Sequence, residues 1–173
     1  MLHRPKLLVL LMTALLAAPT AAAARPPSRM PTRLATPSYL PDSAASRIVT
    51  ITPTGEAAAA ITILTEAVAI KETGPRATVA RFGEVYAFAP AFIAVHRDEP
   101  TEISFWNLQP DDEHDVMLVA PGFQVLMKVV LPPLEKTTYV FTFHEEGLFA
   151  LYCTMHQPAM SGQILVLPPG RSG

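Results

Sequence analysis

The sequence predicts an all-β sandwich or barrel from residue 76 onward. Short runs of alternating apolar and polar residues follow one another there, with Pro and Gly between them. "TEISFWNL" sets Ile103 and Phe105 on one face and Glu102 and Ser104 on the other. "TTYVFTFH" sets Tyr139, Phe141 and Phe143 against Val140, Thr142 and His144. No internal repeat is present, and no dinucleotide, phosphate-loop or hydrolase-elbow motif. A chain of 173 residues can hold one domain with a sizeable core and an appendage. Its net charge of −2 gives no basic face for nucleic acid.

The chain opens with "MLHRPKLLVLLMTALLAAPTAAAAR". Arg4 and Lys6 precede a short apolar stretch, and Ala22 and Ala24 suit a cleavage site, so residues 1–24 read as a secretory signal. The apolar part is shorter than the roughly 20 residues that a membrane span prefers. The expectation is therefore a periplasmic or otherwise exported protein, with no membrane insertion after cleavage. Residues 25–46 carry five prolines and little periodicity, and read as a flexible leader. In the 47–75 extension, "RIVTITPTGE" suits a short strand and turn. "AAAAITILTEAVAIKE" suits a helix by its alanines and strands by its Ile and Val, and the choice stays open.

"ATVARFG" and "EVYAFAP" read as strands divided by Gly83. "AFIAVHR", "TEISFWNL", "TTYVFTFH", "LFALYC" and "QILVL" complete the strand set. Met117 and Met127 are expected in the core, and His96 and His144 at the solvated surface. The acidic run Asp111 to Glu113 reads as a solvated loop.

One segment carries chemistry. "CTMHQPAM" joins the last two strands and holds the chain's single cysteine, Cys153, followed by His156 and Met160. An exported thiol without an intramolecular partner pairs with another chain, stays buried, or binds a metal. A thiolate, an imidazole and a thioether on one short loop are soft to borderline donors. With a second imidazole they make the trigonal site that tunes copper for electron transfer. His114, which opens the apolar run "DVMLV" after a polar loop, is the candidate second imidazole.

These residues resemble the cupredoxins, the blue-copper family of plastocyanin, amicyanin and pseudoazurin. The resemblance lies in "AFAPAFIAVHRDEPTEISFWN", in the spacing from Asn107 to His114, and in "EEGLFALYCTMHQPAMSGQILV". It covers residues 76–168 and implies a Greek-key β-sandwich. It implies one copper ion, cycling between Cu(I) and Cu(II), held by His114, Cys153, His156 and an axial Met160. Three residues separate His156 from Met160, where the compared relatives have two or four. Asp115 stands where relatives often have Asn, and a bond from Asp115 to Thr154 is the expected brace of the ligand loop.

The resemblance further implies electron transfer rather than catalysis. His156 would be the electron's exit, and Met155, Pro158 and Ala159 the rim on which a redox partner such as a cytochrome, oxidase or reductase docks transiently. A weaker similarity links "NLQPDDEHDVMLV" to the copper domains of oxidase subunit II and nitrous oxide reductase. Those hold two coppers between two cysteines, which one cysteine cannot build. The red-copper protein nitrosocyanin, with a glutamate ligand, directs attention to Glu113. A copper carrier and a metal-free structural domain are the rival readings. The sequence lacks the Met- and His-rich tract of a carrier.

Overall fold

A computed structural model describes residues 37–39 and 47–170. The segment read as a secretory signal lies outside the described residues, as does most of the leader. The strands, in chain order, are β1 (Pro37–Tyr39), β2 (Val49–Thr52), β3 (Ala59–Ala69), β4 (Val85–Ala89), β5 (Phe92–His96) and β6 (Thr101–Asn107). After them come β7 (His114–Val119), β8 (Val125–Leu131), β9 (Lys136–Phe143), β10 (Gly147–Tyr152) and β11 (Ser161–Leu167). A single short helix among the described residues, α1 (Arg76–Phe82), links β3 to β4.

Among the described residues the strands form two sheets. One has the order β2-β9-β6-β3-β4 and the other β1-β8-β7-β10-β11-β5. The extension whose structure the sequence left open thus supplies two strands of the five-stranded sheet. β3 lies parallel to β6, pairing Ile63 with Phe105, and antiparallel to β4. A three-residue strand also falls inside the stretch read as a flexible leader, where β1 pairs with β8.

The alternation of β9 places Tyr139, Phe141 and Phe143 at 0–1% exposure between the sheets. From the opposite sheet Phe149 meets Phe143 edge-on, with ring centroids 4.8 Å apart. Val116, Leu118, Leu126 and Ile164 fill the same layer. Each such side chain contributes roughly 2–3 kcal/mol by leaving water. This core joins the two sheets of the sandwich.

Four expectations are corrected. "ATVARFG" is helix α1, not a strand. The carbonyl of Pro75 accepts from the amides of Thr78 and Val79, at 2.9 and 3.1 Å, which starts a helical turn. No residue of α1 is buried, so nothing there rewards an extended strand. Gly83, with φ of 76°, ends it. Met117 is half-buried, because Val116 and Leu118 take the core face of β7. Ser104, placed on the polar face of β6, is 2% exposed; β6 lies inside its sheet, and the Ser104 hydroxyl is satisfied by Thr138 at 2.9 Å. His96 and His144 are partly buried and have protein partners. His96 Nδ1 donates to the Pro168 carbonyl at 2.7 Å. His144 Nδ1 lies 3.0 Å from the Asp98 carboxylate and Nε2 lies 2.9 Å from the Thr50 hydroxyl, which ties β2 to the sandwich.

Candidate metal centre

Two chain segments meet at one end of the sandwich. His114 opens β7, and the loop 153–160 joins β10 to β11. That loop closes tightly because its flanking strands are paired up to Tyr152 and Ser161. The Cys153 amide donates to the Met160 carbonyl at 3.0 Å, and the Met160 amide donates to the His156 carbonyl at 3.0 Å. The Gln157 side chain adds two donations, to the carbonyls of Cys153 and Met160, at 2.7 and 3.1 Å. Backbone polar groups that a tight loop would otherwise strand are thereby satisfied.

Gly162 completes the frame. A Cβ there would stand 2.9 Å from the Ala91 carbonyl oxygen, which accepts from the Gln163 amide at 2.8 Å. Only glycine allows β11 to approach β5 this closely directly after the loop.

The loop turns its donors toward His114. The Nδ1 atoms of His114 and His156 lie 3.0 Å apart, and the Cys153 sulfur lies 4.0 and 3.5 Å from them. The three donor atoms fall within 4.8 Å of one another. Donors bound at about 2.0–2.3 Å around one four-coordinate ion stand roughly 3.3–3.8 Å apart, so the trio fits a single metal ion. Cys153, His114 and Met160 are fully buried, while His156 is partly exposed. Met160 stands where the loop closes, fixed by its backbone bonds to Cys153 and His156. Glu113 is exposed and lies outside the converging group.

Burial governs the ionisation of these donors. It pushes His114 down to about 4, helped by the neighbouring His156 and opposed by Asp112 and Asp115. It pushes the Cys153 thiol up. His114 is thus a neutral imidazole at pH 7, the form that binds metals, and a bound metal would have to displace the thiol proton.

Asp115 follows His114 on β7 and faces Thr154. Its carboxylate accepts from the Thr154 amide at 2.6 Å and from the Thr154 hydroxyl at 2.5 Å. Lys128 on β8 reaches both, lying 3.1 Å from Asp115 and 3.0 Å from Thr154. Burial raises the Asp115 pKa, but the two Thr154 bonds and Lys128 outweigh it and hold the carboxyl below its usual value. The sequence pointed to Asp115 and Thr154; Lys128 gave no signal, because its partners come from other strands.

Asn107 at the end of β6 fixes the loop leading to His114. Its side-chain amide donates to the carbonyls of Asp112 and Leu131, at 2.8 and 2.9 Å. Its oxygen accepts from the Thr65 hydroxyl and the Gln109 amide, each at 3.0 Å. Asp112 is therefore not a freely solvated member of its acidic run. Its carboxylate also accepts from the hydroxyl of Tyr86 on β4, at 2.5 Å. Asn107 could have been found as a polar residue ending a strand before a polar loop. Tyr86 and Gln157 could not, since an aromatic in an alternating strand reads as core and a loop amide as solvated.

Met155 is 48% exposed, and Pro158 and Ala159 are exposed beside it. With Phe82 of α1 they border a groove of about 340 Å³ that reaches His156.

No protein-family model matches the sequence, and no curated protein matches it. Similar solved structures include auracyanin B, at 14% identity over 70% of this chain and 99% of that one, with a TM-score of 0.49. Another is auracyanin A, described as a "blue" copper protein from Chloroflexus aurantiacus, at 17% identity over 62% and 98%, with a TM-score of 0.44. A third is a purple cupredoxin from Nitrosopumilus maritimus, at 16% identity over 61% and 98%, with a TM-score of 0.40. Two facing sheets, one donor at the start of β7 and the others in the loop between the last two strands give this chain a cupredoxin-like β-sandwich fold.

Proposed function

We propose that this chain is an exported electron-transfer protein with one copper ion in a mononuclear type 1 site. The observation that carries the reading is the convergence of His114, His156 and Cys153 donors in a buried pocket from which only His156 reaches the surface. His114, Cys153 and His156 would hold the ion, with Met160 as a fourth and weaker donor. Copper held there would supply one-electron exchange between Cu(I) and Cu(II).

The rest is the work of the chain's own residues. The strand ends and the bonds of Asp115, Thr154 and Lys128 brace the donor loop, and would hold the donors in one arrangement as the ion changed oxidation state. Full burial of Cys153 and Met160 keeps water from the thiolate. His156 presents the one partly exposed edge, and Met155, Pro158 and Ala159 give a redox partner a small apolar rim. Transient redox contacts bury little area, which suits a rim of this size. Export rests on the sequence of residues 1–24. Among the described residues, no helix is long and apolar enough to cross a membrane.

Copper carriage is the second reading. Three fully buried side chains, His114, Cys153 and Met160, oppose the rapid exchange that a carrier needs.

The test is the visible and EPR spectrum of the Cu(II)-loaded protein beside Cys153→Ser. An intense band toward the red with narrow copper hyperfine splitting, lost in the variant, is expected. His114→Ala should abolish it as well, and Met160→Leu should shift it. A pale, wide-splitting spectrum that ignores Cys153→Ser, with metal readily taken by a chelator, would move the function to carriage.

A further inference from the structure

We propose that Tyr86 is a positioning residue for both metal-binding imidazoles, held in place by Asp112. The inference rests on the copper-site reading above and concerns a residue from the sheet that carries no donor. Tyr86 is 1% exposed, so its ring has a fixed environment. Its centroid lies 4.8 Å from that of His114 and 4.7 Å from that of His156, with planes inclined by 67° and 60°. The two imidazoles are themselves 4.8 Å apart at 63°. The three rings thus form a nearly equilateral cluster. Edge-on and tilted packing of this kind is directional.

A metal-binding histidine ordinarily has its ring plane set by a hydrogen bond from its second nitrogen. His114 lacks one: its buried Nε2 has no hydrogen-bond partner among the described residues. His156 sits on a loop and is partly exposed. The Tyr86 ring is the packing surface common to both imidazoles. It takes the place of the missing hydrogen bond as the element that fixes their planes.

The hydroxyl explains why a tyrosine stands here. It donates to Asp112, and Asn107 holds the Asp112 carbonyl at 2.8 Å. Asn107 is in turn tied to Leu131 and Thr65. A chain of hydrogen bonds from the interior of the sandwich therefore ends on the ring that touches both donors. A phenylalanine would fill the same space without that anchor.

The experiment uses the full chain with Tyr86→Leu, Tyr86→Phe, Asp112→Ala and the Tyr86→Phe/Asp112→Ala double variant. Zn(II) affinity is measured by competition with a chelator, and the Cu(II) forms are compared by EPR and visible absorption. Tyr86→Leu should lose about tenfold in Zn(II) affinity and alter the copper hyperfine splitting. Tyr86→Phe should cause a smaller shift, and adding it to Asp112→Ala should change nothing further, because both break the same hydrogen bond. A Tyr86→Leu protein that melts earlier yet binds Zn(II) and shows the Cu(II) spectrum of the parent would overturn the proposal and leave Tyr86 as plain core. Should Tyr86→Leu not fold, Tyr86→Phe decides, since it keeps the volume. Parental affinity and spectrum in both Tyr86→Phe and Asp112→Ala then count against the anchor. A parent protein that binds Zn(II) but gives no intense red copper band defeats the electron-transfer reading alone, and the Zn(II) affinities still settle the role of Tyr86.

Discussion

The two sheets of this sandwich do different jobs with similar materials. The six-stranded sheet carries the donors: His114 starts β7, and the loop with Cys153, His156 and Met160 hangs between β10 and β11. The five-stranded sheet carries none of them. It instead supplies Tyr86, from β4, and Asn107, from β6, which brace the donor end from behind. Three stacked or edge-on aromatics of β9 and their partner Phe149 hold the sheets together away from any metal chemistry. Chemistry is concentrated in one sheet while rigidity is drawn from both.

Substitutions can break that division or sharpen it. The largest expected effect is on stability alone. Phe143→Ala removes a fully buried ring and should cost about 4 kcal/mol in urea unfolding. The folded fraction should keep the parental metal spectrum. A changed spectrum would mean that core and site are not separable. Asn107→Ala should cost about 3 kcal/mol, because it strands several buried polar groups at once. Unlike Phe143→Ala, it should also weaken metal binding, since Asn107 holds the loop that delivers His114.

Gly162→Ala comes next, at about 2 kcal/mol, from a Cβ driven against the Ala91 carbonyl. Displacement of the Met160–Gly162 frame should appear as a shifted copper band, and a spectrum identical to the parent's would show that the loop is insulated from β11. The smallest effect is that of Lys128→Met, about 1 kcal/mol in thermal or urea unfolding. The Lys128 side chain is 38% exposed, which dilutes its pairing with Asp115.

The donor loop was legible because its information is local. Cys153, His156 and Met160 lie within eight residues, and the loop between two paired strands leaves them little freedom. The strands from β9 to β11 were legible from alternation. β3 was not, because its eleven residues mix alanines with Ile and Leu and only pairing with β6 and β4 decides in favour of a strand. β8 has Leu126 and Met127 buried in succession, which blurs the period of two. Helix α1 was hidden for the opposite reason: its residues would suit a strand, but the Thr78 and Val79 amides bond locally to the Pro75 carbonyl. The contributions of Tyr86, Lys128 and Gln157 depend on partners brought by distant segments, which no local pattern encodes.

The parallel pairing of β5 with β11 has a consequence for how the molecule is made. The last strand must find one laid down long before it, at Ile93 and Ile164, while β10 is added to its other side. Non-local pairing of this sort slows folding, because chain entropy is lost before contacts repay it. Emergence of the chain in order, from its first residue to its last, cannot complete the donor set early. His114 waits for Cys153 and His156, and the loop that presents them is not drawn closed until β11 is in place. The pocket of His114, Cys153 and His156 therefore closes only once β11 has paired with both β10 and β5.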